Sequence, residues 1–191
     1  MDKILFINAC VRPNSRTLAM AKSVLSEIEG NVEEIVLDKI SLAPLDFAGI
    51  EKRNKAGIEQ NFTDSYFNLA KQFATADIIV IAAPYWDLMF PAVLKTYLEI
   101  ITVSGITFRY SSQGKTESLC RAKKLYYVTT AGGFIGQNDF GFSYVKALAQ
   151  NFFGITEIYR YAAEGLDIAG ANAQEIMRKA KDDAFNRKAQ D

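Results

Sequence analysis

The segment Cys10-Val11-Arg12-Pro13-Asn14-Ser15-Arg16-Thr17 gathers a thiol, hydroxyls and positive charge at the start of a helical pattern. Behind it, Leu18, Ala19, Ala21, Val24, Leu25 and Ile28 recur at helical spacing, with Gly30 as a stop. A loop entering a helix N-terminus presents unpaired N–H groups and the positive end of the helix dipole, which suit an anion such as phosphate. Ser15 and Thr17 would add hydrogen bonds and Arg16 a charge. A Ser or Thr in that place is equally an ordinary N-cap, and the loop alone does not separate the two roles. A second segment, Pro84-Tyr85-Trp86-Asp87-Leu88-Met89-Phe90, sets aromatic and apolar groups just past an apolar run, where a flat ring could lie. Core packing is the simpler account of Met89 and Phe90. Trp86, the only tryptophan, joins a large apolar body to an N–H and suits a half-exposed site or a subunit contact. In a third segment, Thr129 to Phe134, Gly132-Gly133 permits close backbone approach, so main-chain N–H groups could meet a ring carbonyl or nitrogen; a simple turn explains the pair as well.

The chain contains no histidine. A Ser-His-Asp hydrolase or a His-based zinc site is therefore excluded within it. Chemistry must come from a cofactor, a cysteine, or a metal held by carboxylates. Lys plus Arg number 22 and Asp plus Glu number 22, so the net charge is zero. That balance argues against nucleic acid or an anionic membrane as the main partner and leaves little repulsion to oppose self-association. Two cysteines, Cys10 and Cys120, are too few for a disulfide framework. The N-terminus runs straight into an apolar strand without a basic leader, and no apolar run approaches the ~18 residues of a membrane span. The expectation is a cytoplasmic soluble protein.

These residues need elements to hold them. Lys3 to Ile7, Asp77 to Ala83 and Lys124 to Thr130 are near-continuous apolar runs of the kind buried on both faces of a parallel sheet. Val32 to Leu37 and Ile155 to Ala162 complete five strands. Helices are predicted from Leu18, over Thr63 to Ala74, behind Pro91 with Leu94, Tyr97, Leu98 and Ile101 on one face, over Tyr144 to Phe153 with Gly154 as stop, and over Ala171 to Lys188. Ser41 to Gln60 reads as irregular, and Ile106 to Tyr110 as a short extended piece. Strands alternating with helices give an α/β class with right-handed crossovers; the expectation is one flavodoxin-like domain over 1–191, strand order 2-1-3-4-5, helices on both faces. Open sheets of this kind bind ligands at the carboxyl ends of the strands where the order reverses. There the three segments would converge.

The first loop also satisfies Cys-x5-Arg-Thr and so resembles the phosphate loop of low-molecular-weight tyrosine phosphatases and related arsenate reductases, in which Cys10 would be a thiolate nucleophile. The Asp-Pro pair that supplies the general acid in that family is absent, and the loop has no glycine.

A wider resemblance covers most of the chain. Lys3 to Thr17, Ala83-Pro84-Tyr85-Trp86-Asp87-Leu88 continuing to Leu94-Lys95-Thr96-Tyr97-Leu98-Glu99, Gly105-Ile106-Thr107-Phe108-Arg109-Tyr110, and Thr129-Thr130-Ala131-Gly132-Gly133 together resemble the FMN-dependent NAD(P)H:quinone oxidoreductases and azoreductases of the flavodoxin-like superfamily. Ala163-Glu164-Gly165 extends the match. The resemblance implies that Cys10, Ser15, Arg16 and Thr17 bind the FMN phosphate. It implies that Pro84, Tyr85, Trp86, Asp87 and Leu88 line the flavin ring, and that Thr130, Gly132 and Gly133 contact the ring's polar edge. No protein side chain is implied as catalytic, since the flavin does the chemistry. NADH or NADPH would reduce it, and a quinone, azo compound or similar flat acceptor would reoxidise it in a ping-pong cycle. The family implies a homodimer with the flavin near the interface; Trp86, Phe90, Tyr97 and Phe108 are candidate contacts, with core packing an equal alternative for each. Cys10 and Asp87 depart from the family's usual Ser and Asn. A non-enzymatic electron carrier of the same fold is the alternative; such carriers are usually strongly acidic, and this chain is neutral.

Overall fold

The computed structural model describes residues 1–188, with side chains through Asp182. In chain order the elements are β1 (Lys3–Asn8), α1 (Arg16–Leu25), β2 (Asn31–Val36), α2 (Phe47–Glu59), α3 (Asn68–Thr75), β3 (Ile78–Ala82) and α4 (Ala92–Ile101). Then come the short β4 (Phe108–Tyr110) and β5 (Thr116–Ser118), β6 (Lys124–Thr130), α5 (Phe140–Asn151), β7 (Glu157–Ala163) and α6 (Ala173–Lys188). The main sheet runs β2-β1-β3-β6-β7, every pair parallel. This is the expected 2-1-3-4-5 order of a flavodoxin-like fold. Among the described residues, no helix is long and apolar enough to cross a membrane.

The central strands are buried on both faces, which is why they read as unbroken apolar runs. Leu5, Ile7, Ile79, Ile81, Leu125 and Tyr127 pack with Phe73 of α3, Leu94 and Leu98 of α4, and Val145 and Ala149 of α5. The alternate residues Ile4, Phe6, Ile78, Val80, Tyr126 and Val128 pack with Met20, Ala21 and Val24 of α1, with Ile176 and Met177 of α6 against them. Period-two alternation thus feeds two cores from one sheet. The edge strand β2 differs. Its Glu33 and Glu34 are exposed, and Glu33 pairs with Lys3 at 3.1 Å, so charge guards the open edge.

The elements depart from the sequence reading in several places. Residues 41–60 are not irregular, since α2 occupies Phe47–Glu59. The side chain of Asp46 caps it by accepting from Gly49 N, and Gln60 ends it in the left-handed conformation. Thr63 to Ala74 is a 3₁₀ turn, Ser65–Phe67, followed by the shorter α3. The helix α5 starts earlier than expected because Asp139 caps it, accepting from Phe142 N. Ile106 to Tyr110 contributes β4, one arm of an antiparallel hairpin whose other arm, β5, is polar and gives no hydrophobic signal. The helix α1 stops at Leu25 with Ser26 as C-cap, so Gly30 leads into β2 rather than closing the helix.

Candidate functional site

The carboxyl ends of β1, β3 and β6 bring the three loops to one mouth. A cleft of about 240 Å³ opens there. It is lined by Val11, Arg12, Asn14, Ser15, Arg16 and Thr17 of the first loop and by Pro84, Tyr85 and Trp86 of the second. Thr130 and Gly132 of the third and Asp167, beyond β7, complete it. Cys10, Asp87, Leu88 and Gly133 lie outside that lining. Sequence reasoning passed over Val11, Arg12, Asn14 and Asp167. The first three sit within the flagged loop. Asp167 had no local signal beyond its place after the last strand.

The first loop carries donors of the kind that suit an anion. Ser15 is the N-cap of α1, its Oγ accepting from Leu18 N at 3.2 Å. The N–H groups of Arg16 and Thr17, in the first turn, have no intrahelical acceptor. Below the loop, Asn8 bridges its neighbours: its amide donates to Glu34 Oε1 at 2.8 Å and its Oδ1 accepts from Cys10 N at 3.0 Å. The hydroxyls of Thr17 and Thr130 lie 2.6 Å apart in a buried contact that ties the first loop to the third. Thr17 therefore holds the two loops in register as well as facing the cleft. Arg16 donates to the Leu166 carbonyl at 3.3 Å and pairs with Asp167 at 2.8 Å.

Cys10 is buried, with its thiol 3.7 Å from the Ala82 carbonyl. Burial pushes the thiol pKa up, with the Ser15 hydrogen bond opposing and the Glu34 charge reinforcing. A nucleophilic cysteine needs the opposite environment, exposed and with its thiolate stabilised. Burial and the raised thiol pKa thus oppose a phosphatase role for the Cys-x5-Arg spacing.

The second loop folds back in a two-residue hairpin. Trp86 N donates to Met89 O at 2.9 Å and Met89 N to Trp86 O at 2.8 Å. Asp87 and Leu88 between them have φ of +50° and +68°. Asp tolerates that region and is common there, whereas Leu is strained in it. Such strain concentrates where backbone direction serves a site. Tyr85 N donates to Thr130 O at 3.1 Å, and the Tyr85 hydroxyl to Asn138 O at 3.0 Å, joining this loop to the third.

The third loop is anchored from behind. The carbonyls of Ala131, Gly132 and Gly133 accept from Leu166, Asp167 and Gly165. Glu164 accepts from Ile135 N at 2.9 Å, and Arg160 joins Glu164 to Asp139. A Cβ on Gly132 would collide with the Asp167 carboxylate, whereas one on Gly133 would meet open space. The donor set of the first loop fits a phosphate monoester. The aromatic residues Tyr85 and Trp86 and the bare glycine backbone fit a flat, polar-edged ring. Among the described residues, no cluster of His, Cys, Asp and Glu could hold a metal ion. Of the four candidate contacts, Phe90 and Tyr97 are buried in the core between sheet and helices, Phe108 is buried against Tyr110 and Phe152, and Trp86 alone stays exposed.

Residues 2–187 match the family described as having a flavodoxin-like fold. The chain is 31% identical over 194 residues to "FMN-dependent NADH:quinone oxidoreductase 2" of Clostridium perfringens, spanning 97% of this chain and 98% of the relative. It is 34% identical over 202 residues to the protein of the same name from Clostridium acetobutylicum, spanning 96% and 98%. Among solved structures it superposes on an azoreductase from Bacillus anthracis with a TM-score of 0.79 at 27% identity, covering 96% of this chain and 97% of that one. The azoreductase AzrA gives a TM-score of 0.83 at 25% identity, covering 99% and 100%.

Proposed function

Because this chain belongs to the flavodoxin-like family that contains the FMN-dependent NADH:quinone oxidoreductases, we propose that it holds FMN in the cleft and passes electrons from NADH or NADPH to a quinone, azo compound or similar flat acceptor. The observation that carries this is the meeting of a phosphate-type donor set and a ring-sized aromatic wall at the point where strand order reverses. FMN held there would supply the two-electron redox chemistry between nicotinamide and acceptor.

The chain's own residues bind, orient and expose. Ser15, Arg16 and the first-turn N–H groups hold the phosphate, and Thr17 keeps this loop registered on Thr130. Cys10 sits beneath the loop as packing. Pro84, Tyr85 and Trp86 wall the ring, with Asp87 and Leu88 setting the direction of that wall through their hairpin. Thr130, Gly132 and Gly133 bring backbone to the ring's polar edge. None of these roles needs a histidine.

The cleft is smaller than the roughly 300–1,000 Å³ of sites that bury a ligand of this size. Trp86, Leu88 and Phe134 leave apolar side chains exposed close by in the chain. Both features support a homodimer in which a second copy closes the site. Two free buried thiols and zero net charge support a reducing, cytoplasmic setting with neither nucleic acid nor membrane as partner.

Steady-state kinetics on FMN-loaded protein, with mass measured in solution, test the proposal. Parallel double-reciprocal lines for NADH and a quinone, from a species of twice the chain mass, are expected. Absence of FMN uptake would contradict it. Bleaching by NADH without turnover of any acceptor would favour an electron carrier.

A further inference from the structure

The guanidinium of Arg16 already has an anion. Its Nη2 lies 2.8 Å from Asp167 Oδ1, while its Nη1 donates to the Leu166 carbonyl at 3.3 Å. Both side chains line the cleft. The fold seats the carboxylate there: Asp167 N donates to the Gly132 carbonyl at 2.9 Å, and the missing side chain of Gly132 leaves the space that Oδ2 fills. The ion pair is thus built from three separated parts of the chain, within the cleft that the first loop lines.

We propose that Asp167 is a specificity-determining residue, an internal anion that holds down the affinity of the cleft for phosphate. A phosphate-bearing ligand then binds well only if it also brings a ring for the Tyr85–Trp86 wall. This rests on the reading of the cleft as an FMN site. A phosphate on the first loop must share Arg16 with the carboxylate and is repelled by it. Arg16 does not need Asp167 to keep its place, because the Leu166 carbonyl holds its other arm. Neutralising Asp167 therefore frees the charge of Arg16 where it stands. Asp167 is 66% exposed and Arg16 38%, so solvent moderates the effect and the fold does not depend on the pair.

The test is Asp167→Asn, which keeps shape and removes charge. FMN, riboflavin (which lacks the phosphate) and inorganic phosphate are titrated into the variant and the unsubstituted protein. Flavin fluorescence reads the first two and calorimetry the third. FMN is expected to tighten about three- to tenfold, with steeper salt dependence, riboflavin to stay unchanged, and phosphate alone to bind more tightly. Weaker FMN binding in the variant would overturn the proposal and make Asp167 a support for Arg16. Equal changes for FMN and riboflavin would also overturn it. If the unsubstituted protein takes up no flavin, the FMN reading falls. Inorganic phosphate still decides the role of Asp167 in that case: tighter binding in the variant upholds it, and unchanged or absent binding in both overturns it.

Discussion

Ser15 and Thr17 look alike in the sequence, two hydroxyls at one helix start, yet the structure gives them different work. Ser15 caps the helix and lines the cleft, whereas Thr17 spends its hydroxyl on Thr130, 113 residues away. Ser15→Ala is therefore expected to weaken FMN binding by about 2 kcal/mol, the worth of one hydrogen bond to a charged group. Thr17→Val is expected to act mainly on stability, lowering it by about 1–3 kcal/mol by orphaning a buried hydroxyl. Flavin titration and chemical denaturation of both variants separate the two; equal losses of affinity and stability in both would contradict the division. At this scale the loop was legible because its residue types and its place after an apolar strand are local. The partners of Arg16 and Thr17 were not, since Leu166, Asp167 and Thr130 arrive only when β6 and β7 are laid beside β1 and β3. Cys10 was legible as a loop residue, but its burial, which disfavours the thiolate, was not.

Each element can be judged by where its side chains go. The hairpin 86–89 stores strain in Leu88, whose φ of +68° suits glycine and whose side chain is half-exposed. Leu88→Gly should then stabilise the apoprotein by about 0.5–1 kcal/mol, relief of the left-handed conformation outweighing the added freedom of the unfolded chain. Thermal unfolding checks this; a lower melting temperature would mean that the Leu88 side chain contributes packing larger than the strain. The strands β1, β3 and β6 were readable because burial on both faces leaves a continuous apolar stretch. The helix α2 was not, because it buries only Gly49 and Ala56 and exposes Phe47, Ile50 and Ile58, so no apolar stripe marks it. Its real signals are the cap at Asp46 and the stop at Gln60. The hairpin of β4 and β5 escaped for a related reason: Thr116–Ser118 pairs through its backbone and carries no apolar residue.

At the scale of the whole molecule, a parallel sheet with reversed strand order places three unrelated loops at one mouth, and the chain's chemistry depends on that meeting. Topology was legible from the alternation of strand and helix, and the cleft from the rule that open sheets bind ligands at the reversal. Under the proposed function FMN would carry the redox work, with the first loop supplying donors for its phosphate and Tyr85 and Trp86 a wall for its ring. The most direct measurement is an anaerobic spectral titration of protein reconstituted with FMN. The account predicts stoichiometric flavin uptake, complete bleaching by one equivalent of NADH or NADPH, and full return of the oxidised spectrum on adding one equivalent of quinone. A protein that takes up no flavin, or whose flavin neither nicotinamide bleaches, would contradict it.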